Sequence, residues 1–276
     1  MNYETLQVQI VNKVAIVWMA REKLRNAFNE RSIAELTHAF EALGADDGVR
    51  VIVLGGHGPA FCAGADLEWM RRMAGYSHDE NLADADRLAA MLRTIDACPK
   101  PVIARVHGDA YAGGVGLVAV CDIVVASHEA GFCLSEVKLG LVPATIAPYV
   151  IRALGEQHAR RYFITAERFD SAEAFRVGLV HLLVPAEQLD AQINELLGQL
   201  LQTSGAAVTE AKRLVREVGG RPIEAALIAQ TVALIAAVRA SPDAREGIGA
   251  FLEKRKPRWV REFEALQAAA NDEEEM

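Results

Sequence analysis

The chain has 276 residues, 51% hydrophobic and 24% charged, the composition of a soluble globular protein long enough to bury a full core. Its formal net charge of -8 is spread along the sequence, and no basic face is visible of the kind a nucleic-acid binder presents. No run of about 18 apolar residues occurs, so no membrane span is expected.

The opening MNYETLQVQI has no basic segment followed by an apolar stretch, so the chain is expected to be cytosolic rather than exported. Strands are predicted at Val14–Met19, Val49–Gly55, Pro101–His107, Asp122–Ala126 and Val180–Val184, each rich in β-branched residues and bounded by Gly, Pro or charge. Between the first two, Asn29–Leu43 places Ile33, Leu36, Phe40 and Leu43 at helical spacing with one face buried, and Leu82–Ala97 reads the same way. Strand, helix, strand argues an α/β core with crossovers lying outside the sheet. From about Pro185 the period becomes helical throughout: Ala186–Leu201, Ala206–Val218, Ile223–Arg239 and Asp243–Arg255, with Pro222, Pro242 and Pro257 marking helix starts. The closing AANDEEEM is polar and acidic and is expected to be disordered. No repeat at a fixed period is found.

Three segments stand out from this frame. Gly55–Met70 (GGHGPAFCAGADLEWM) leaves a strand through small residues and starts an amphipathic segment near Ala65. Val106–Asp122 (VHGDAYAGGVGLVAVCD) ends a strand at His107 and opens an apolar helix at Gly113-Gly114. In Gly131–Pro143 (GFCLSEVKLGLVP), Glu136 sits in an otherwise apolar run. A glycine turn that starts a helix presents backbone N–H groups without intrahelical partners, and the dipole adds about half a positive charge there. Two such donors converging on one point would hold a developing oxyanion; where tested, loss of one costs on the order of 10²–10³ in rate. Each turn alone would equally serve as a phosphate cradle or a tight connection. The glycines lack the position and acidic partner of a dinucleotide fingerprint, no G-K-[ST] follows them, and no G-x-S-x-G elbow is present. Among apolar neighbours, burial should raise the pKa of Glu136 and suit it to proton transfer, unless it simply pairs with Lys138.

The four cysteines, Cys62, Cys98, Cys121 and Cys133, form no C-x-x-C pair and read as buried thiols. His38, His57, His78, His107, His128, His158 and His181 show no metal-ligand spacing, so no metal is expected.

Taken together, AFCAGADL, KPVIARVHGDAYAGGVG with CDIVVAS, and FCLSEVKLGLVP resemble the enoyl-CoA hydratase/isomerase (crotonase) family in order and spacing. RNAF at 25–28 and FLEKRKPRW near the C-terminus add to the likeness, which spans roughly residues 5–260. The resemblance implies an α/β fold: a crotonase-like spiral of ββα repeats over residues 1–185, a helical trimerisation region over 186–262, and an acidic tail over 263–276. It implies an acyl-CoA substrate with no separate cofactor, and a homo-trimer or a hexamer built as a dimer of trimers. It places the oxyanion hole at the backbone N–H groups of Ala65 and Gly114, and the acid/base at Glu136. It assigns coenzyme A and substrate binding to Arg25, Asn26, Ala27, Ala63, Gly64, Asp66, Leu67, Gly113 and Leu117, with Phe251 and Lys254 reaching a neighbouring subunit's site. Lys23, Arg25, Lys254, Arg255 and Lys256 would supply positive charge for phosphates. Trp69, Met70 and Met73 would shape the acyl pocket or simply fill the core.

One departure matters. The second glutamate of the family's hydratases, one helical turn beyond the oxyanion glycine, is Leu117 here, which cannot activate water. The stretches GGVGLVAVCD, SEVKLGLVPATIAPYV and ARRYFITAERFDSAEA look like the bacterial methylglutaconyl-CoA hydratase group, which also tends to lack that glutamate. The reading is therefore a hydratase for a branched or carboxylated 2-enoyl-CoA. Its alternatives are a Δ3,Δ2-enoyl-CoA isomerase with Glu136 as sole proton shuttle, and a non-catalytic acyl-CoA binder.

Overall fold

The computed structural model describes residues 2–274, with side chains to residue 269. The chain runs β1 (Leu6–Val11), β2 (Val14–Met19), α1 (Glu30–Ala45), β3 (Val51–Gly56), β4 (Ala60–Cys62), α2 (Leu67–Met73) and α3 (His78–Ala97). There follow β5 (Val102–Val106), β6 (Asp109–Tyr111), α4 (Gly113–Ala119), β7 (Ile123–Ser127), β8 (Gly131–Cys133), α5 (Ala147–Leu154) and α6 (Glu156–Thr165). The remainder is β9 (Arg168–Asp170), α7 (Ser171–Arg176), β10 (Leu182–Val184), α8 (Leu189–Leu201), α9 (Gly205–Val218), α10 (Ala225–Arg239), α11 (Pro242–Leu252) and α12 (Arg258–Glu274).

The strands form two sheets. Six order as β1-β2-β3-β5-β7-β10, with β1 antiparallel to β2 and the others parallel. Four short strands order as β4-β6-β8-β9, the first three parallel. Each repeat is a strand in the large sheet, a three-residue strand in the small sheet and a helical return: β3-β4-α2-α3, β5-β6-α4, β7-β8-α5-α6. The repeat is structural and has no fixed period in sequence, because the returns differ in length.

The spacing predicted for α1 holds: Ile33, Leu36, Phe40 and Leu43 are all buried, and Asn29 caps the helix by accepting from the Ser32 N–H at 3.1 Å. The core continues through Ile52 and Leu54 of β3 and Met91, Leu92 and Ile95 of α3. Each of these side chains contributes about 1.5–3 kcal/mol by leaving water. α3 carries a capping box between Ser77 and Glu80.

The chain divides into two compact units, residues 1–98 with 102–194 and residues 99–101 with 195–276, and the division falls inside α8. The first unit thus extends beyond the expected boundary at 185. Leu189 and Ile193 are buried, and Asp190 forms a two-point ion pair with Arg105 of β5 at 2.6 and 3.1 Å. In the second unit, Thr209 and Lys212 of α9 donate to the carbonyls of Pro99 and Lys100. α12 takes the stretch from 263, expected as an unstructured tail, through Glu274 as helix; Glu275 and Met276 lie outside the described residues. α10 starts at Ala225 behind Glu224, so Pro222 precedes the helix rather than opening it, while Pro242 does open α11. Among the described residues no single helix is long and apolar enough to cross a membrane.

Candidate active site

Parallel pairing gathers the three segments that stand out in sequence. β4, β6 and β8 lie side by side, with Cys62 opposite Ala110 and Tyr111 opposite Cys133, so their carboxyl ends share one edge of the small sheet. From that edge leave the Ala63–Asp66 turn, the start of α4, and Leu134–Glu136. The turns touch. A Cβ on Gly64 would stand 2.9 Å from the Tyr111 carbonyl, and one on Gly114 would stand 2.5 Å from the Cys62 carbonyl. Both contacts are with backbone, so any side chain at either glycine forces the strands apart. The Ala112 N–H donates to the Cys133 carbonyl at 2.8 Å and ties the third strand in.

The Ala65 amide is held by its neighbours. Phe28 N–H donates to Gly64 C=O and Asp66 N–H donates to Phe28 C=O, both at 2.9 Å, forming an isolated parallel bridge between Phe28 and Ala65. In such a bridge the N–H of Ala65 points away from Phe28, and among the described residues it has no acceptor. At the start of α4 the Val115 and Gly116 N–H groups return to the Ala112 carbonyl, whereas the Gly114 N–H has no acceptor among the described residues. Ala112, which aims this turn, has φ 48° and ψ -119°, a rare conformation costing on the order of 1–3 kcal/mol. Phe28 seals the floor: a Cβ on Gly113 would meet its ring at 2.3 Å, and its other side meets Trp69 at 5.9 Å between centroids.

Glu136 opens a short 3-10 turn, Glu136–Leu139. Its Oε2 is buried without a hydrogen-bond partner, and no ion pair to it exists among the described residues, Lys138 included. Burial raises its pKa above the usual carboxylate range, partly opposed by its own backbone N–H. A carboxyl group with one oxygen buried and without a partner, shifted toward neutrality, is suited to moving a proton. Leu117 lies fully buried on α4, one turn beyond Gly114, so no second carboxylate stands at that position.

Several expected binding residues make bracing contacts within the chain. The carboxylate of Asp66 is fully engaged: one oxygen accepts the Glu68 and Trp69 N–H groups, capping α2, and the other accepts from Arg21 at 2.7 Å. These contacts outweigh burial and hold its pKa below the ordinary value. Asn26, 2% exposed, donates to the His57 and Ala60 carbonyls at 2.8 Å each and accepts from the Arg21 N–H, so its side chain is not available to substrate. Ala27 is buried and its carbonyl accepts from Arg21. Arg25 is exposed with φ 51°, and its carbonyl accepts the Ala63 N–H at 2.9 Å. Leu67 is exposed at the first position of α2. Trp69 is buried in the core with its indole N–H unpartnered among the described residues, and Met73 packs against the same core. Phe251 and Lys254 belong to the second unit, at the end of α11, where Phe251 is exposed and Lys254 has φ 55°. Arg255 and Lys256, expected to face phosphates, pair there with Glu246, Glu253 and Glu264. Arg21 was not foreseen as a site residue, since its carboxylate partner is 45 positions away and leaves no local signal.

Residues 9–262 match the family model described as Enoyl-CoA hydratase/isomerase. The chain belongs to the enoyl-CoA hydratase/isomerase family. It is 32% identical over 262 residues to a protein of Syntrophomonas wolfei named crotonyl-CoA hydratase, covering 94% of this chain and 99% of the relative. Among solved structures it resembles an enoyl-CoA hydratase from Shewanella pealeana (39% identity, TM-score 0.90, 93% of this chain and 96% of the other). It also resembles one from Mycobacterium smegmatis (35% identity, TM-score 0.88, 93% and 99%). The fold is that of the crotonase neighbours, and the protein is a hydratase/isomerase-family enzyme. Within that family, Leu117 leaves Glu136 as the carboxyl group among the three gathered segments with an oxygen buried and unpartnered among the described residues.

Proposed function

We propose that the enzyme adds water to a branched or carboxylated 2-enoyl-CoA of the methylglutaconyl-CoA kind, with the thioester oxygen held by the Ala65 and Gly114 N–H groups. As negative charge grows on that oxygen, two fixed donors in a dry site stabilise it without reorganising. Glu136, as carboxylate, takes a proton from water while the water oxygen bonds to Cβ, then gives a proton to Cα. The enolate collapses to the 3-hydroxyacyl thioester, and the enzyme ends as it began. The observation that supports this reading is the delivery of two unbonded N–H groups and one carboxyl group, its Oε2 buried and unpartnered, to one edge of three adjoining strands. Exposed Lys23 and Arg25 lie beside that edge's bracing segment, where an anionic phosphate would be met. Assembly is as a homo-trimer or hexamer.

The Leu117 departure favours a second reading, a Δ3,Δ2-enoyl-CoA isomerase in which Glu136 removes a proton from C2 and returns it at C4. The two are separated by supplying a 3-enoyl-CoA and watching conjugation appear, against a 2-enoyl-CoA and watching it vanish. Glu136→Gln is expected to lose at least about 10² in rate, the low end for a general acid/base; an unchanged rate removes Glu136 as proton carrier. The substrate class is tested by comparing crotonyl-CoA with 3-methylglutaconyl-CoA, where equal kcat/KM would overturn the branched, carboxylated preference.

A further inference from the structure

We infer that Arg21 and Asp66 form a positioning device for the Ala65 amide, setting the rate of the reaction without touching substrate. The inference rests on the reading in which that amide meets the thioester oxygen. Ala65 is aimed through its bridge to Phe28, so the direction of its N–H follows how segment 25–28 is held against segment 63–66. Arg21 spans that seam. One arm of its guanidinium donates to the Ala27 carbonyl, one residue before Phe28, and the other donates to Asp66, one residue after Ala65. Its side chain is 17% exposed and that of Asp66 is 8% exposed, so the pair is largely out of solvent and weakly screened.

Segment 25–28 needs such a clamp. Arg25 and Asn26 are consecutive non-glycine residues in left-handed conformations, φ 51° and 55°, which persist only where surroundings hold them. Asn26 anchors the far side through His57 and Ala60, and Cys62 Sγ donates to the Asn26 carbonyl at 3.2 Å. On the near side Asp66 also caps α2, so one carboxylate fixes the bridge and the helix that leaves it. A planar guanidinium with donors on two arms meets both acceptors at once, which a lysine ammonium on a flexible stem does not reproduce.

The test uses a conjugated arylacryloyl thioester of coenzyme A, whose absorption moves to the red when its carbonyl is polarised. Wild-type protein is expected to give the red shift; its absence would sink the underlying oxyanion reading and this inference with it, whereas a loss confined to the variants bears on the inference alone. Asp66→Asn keeps the size and a capping oxygen but breaks the charged pair, and Arg21→Lys keeps the charge but loses the span. In either variant the red shift should shrink and kcat should fall by on the order of 10-fold to 10²-fold, the scale of a misplacement of about 1 Å, with KM little changed. Arg72→Gln is the control, since it cuts the exposed pair between Arg72 of α2 and Glu30 of α1 without touching the bridge. Full red shift and full kcat in a folded Asp66 or Arg21 variant overturns the inference. An equal loss in Arg72→Gln also overturns it, by reducing the effect to general loosening. If Asp66→Asn fails to fold, Arg21→Lys decides alone.

Discussion

At the residue scale, Glu136 carries opposite demands on activity and stability. Its Oε2 is buried without a partner, and burial raises its folded pKa above the ordinary value of about 4.3. A group shifted this way costs stability above its raised folded pKa and costs nothing below the unfolded value. Glu136→Gln should therefore raise Tm at neutral pH while lowering turnover by at least about 10², checked by calorimetry beside the rate assay. The same shift fixes a pH profile: the shuttle must start as carboxylate, so kcat/KM should fall as pH drops through a value above the normal glutamate range, and that limb should vanish in the variant. Gly114→Ala makes a different point. The added methyl would stand 2.5 Å from the Cys62 carbonyl and 3.0 Å from its Cβ, so α4 and β4 must separate. A loss on the order of 10²–10³ in kcat is expected, as for removing one oxyanion donor; activity near wild type would show that Gly114 does not meet the thioester.

At the element scale, what was legible follows from length. Strands β2, β3, β5 and β7 of the large sheet and helices α1 and α3 announce themselves because five or more residues repeat a buried period. β4, β6, β8 and β9 have three residues each, too few to show alternation, yet the first three carry the site. The glycine turns could be seen, but not the parallel seam that brings them together, and Asn26 and Asp66 could not be told from ligand contacts because their partners are distant in sequence. β1 also escaped notice, and its attachment is specific. Glu35 of α1 accepts from the Glu4 and Thr5 N–H groups at 3.0 and 2.9 Å and from the Thr5 hydroxyl at 2.6 Å. Burial works against this carboxylate, but those donors hold its pKa below normal. Glu35→Ala should cost on the order of 3 kcal/mol in denaturant unfolding, the scale of leaving hydrogen bonds to a charged group unmade.

At the scale of the whole molecule, the second unit presents apolar side chains to solvent. Ile228, Val232 and Ile235 of α10 are about half exposed, and Phe251 and Leu252 at the end of α11 are more so. Apolar surface of this kind marks association sites. Light scattering on the purified protein should give three or six times the 29.9 kDa chain mass, and Val232→Asp should lower it. A monomer at micromolar concentration would contradict the proposed assembly.

The donors at the head of α4 and after β4 belong to the polypeptide main chain, not to any side group. On the proposed reading, substitutions that spare these two turns and the segments bracing them leave electrophilic activation of the thioester in place, while the side chain at position 117 bears on what happens next to the enolate. Such a scaffold can drift between reactions without ever passing through an ancestor unable to make that common intermediate.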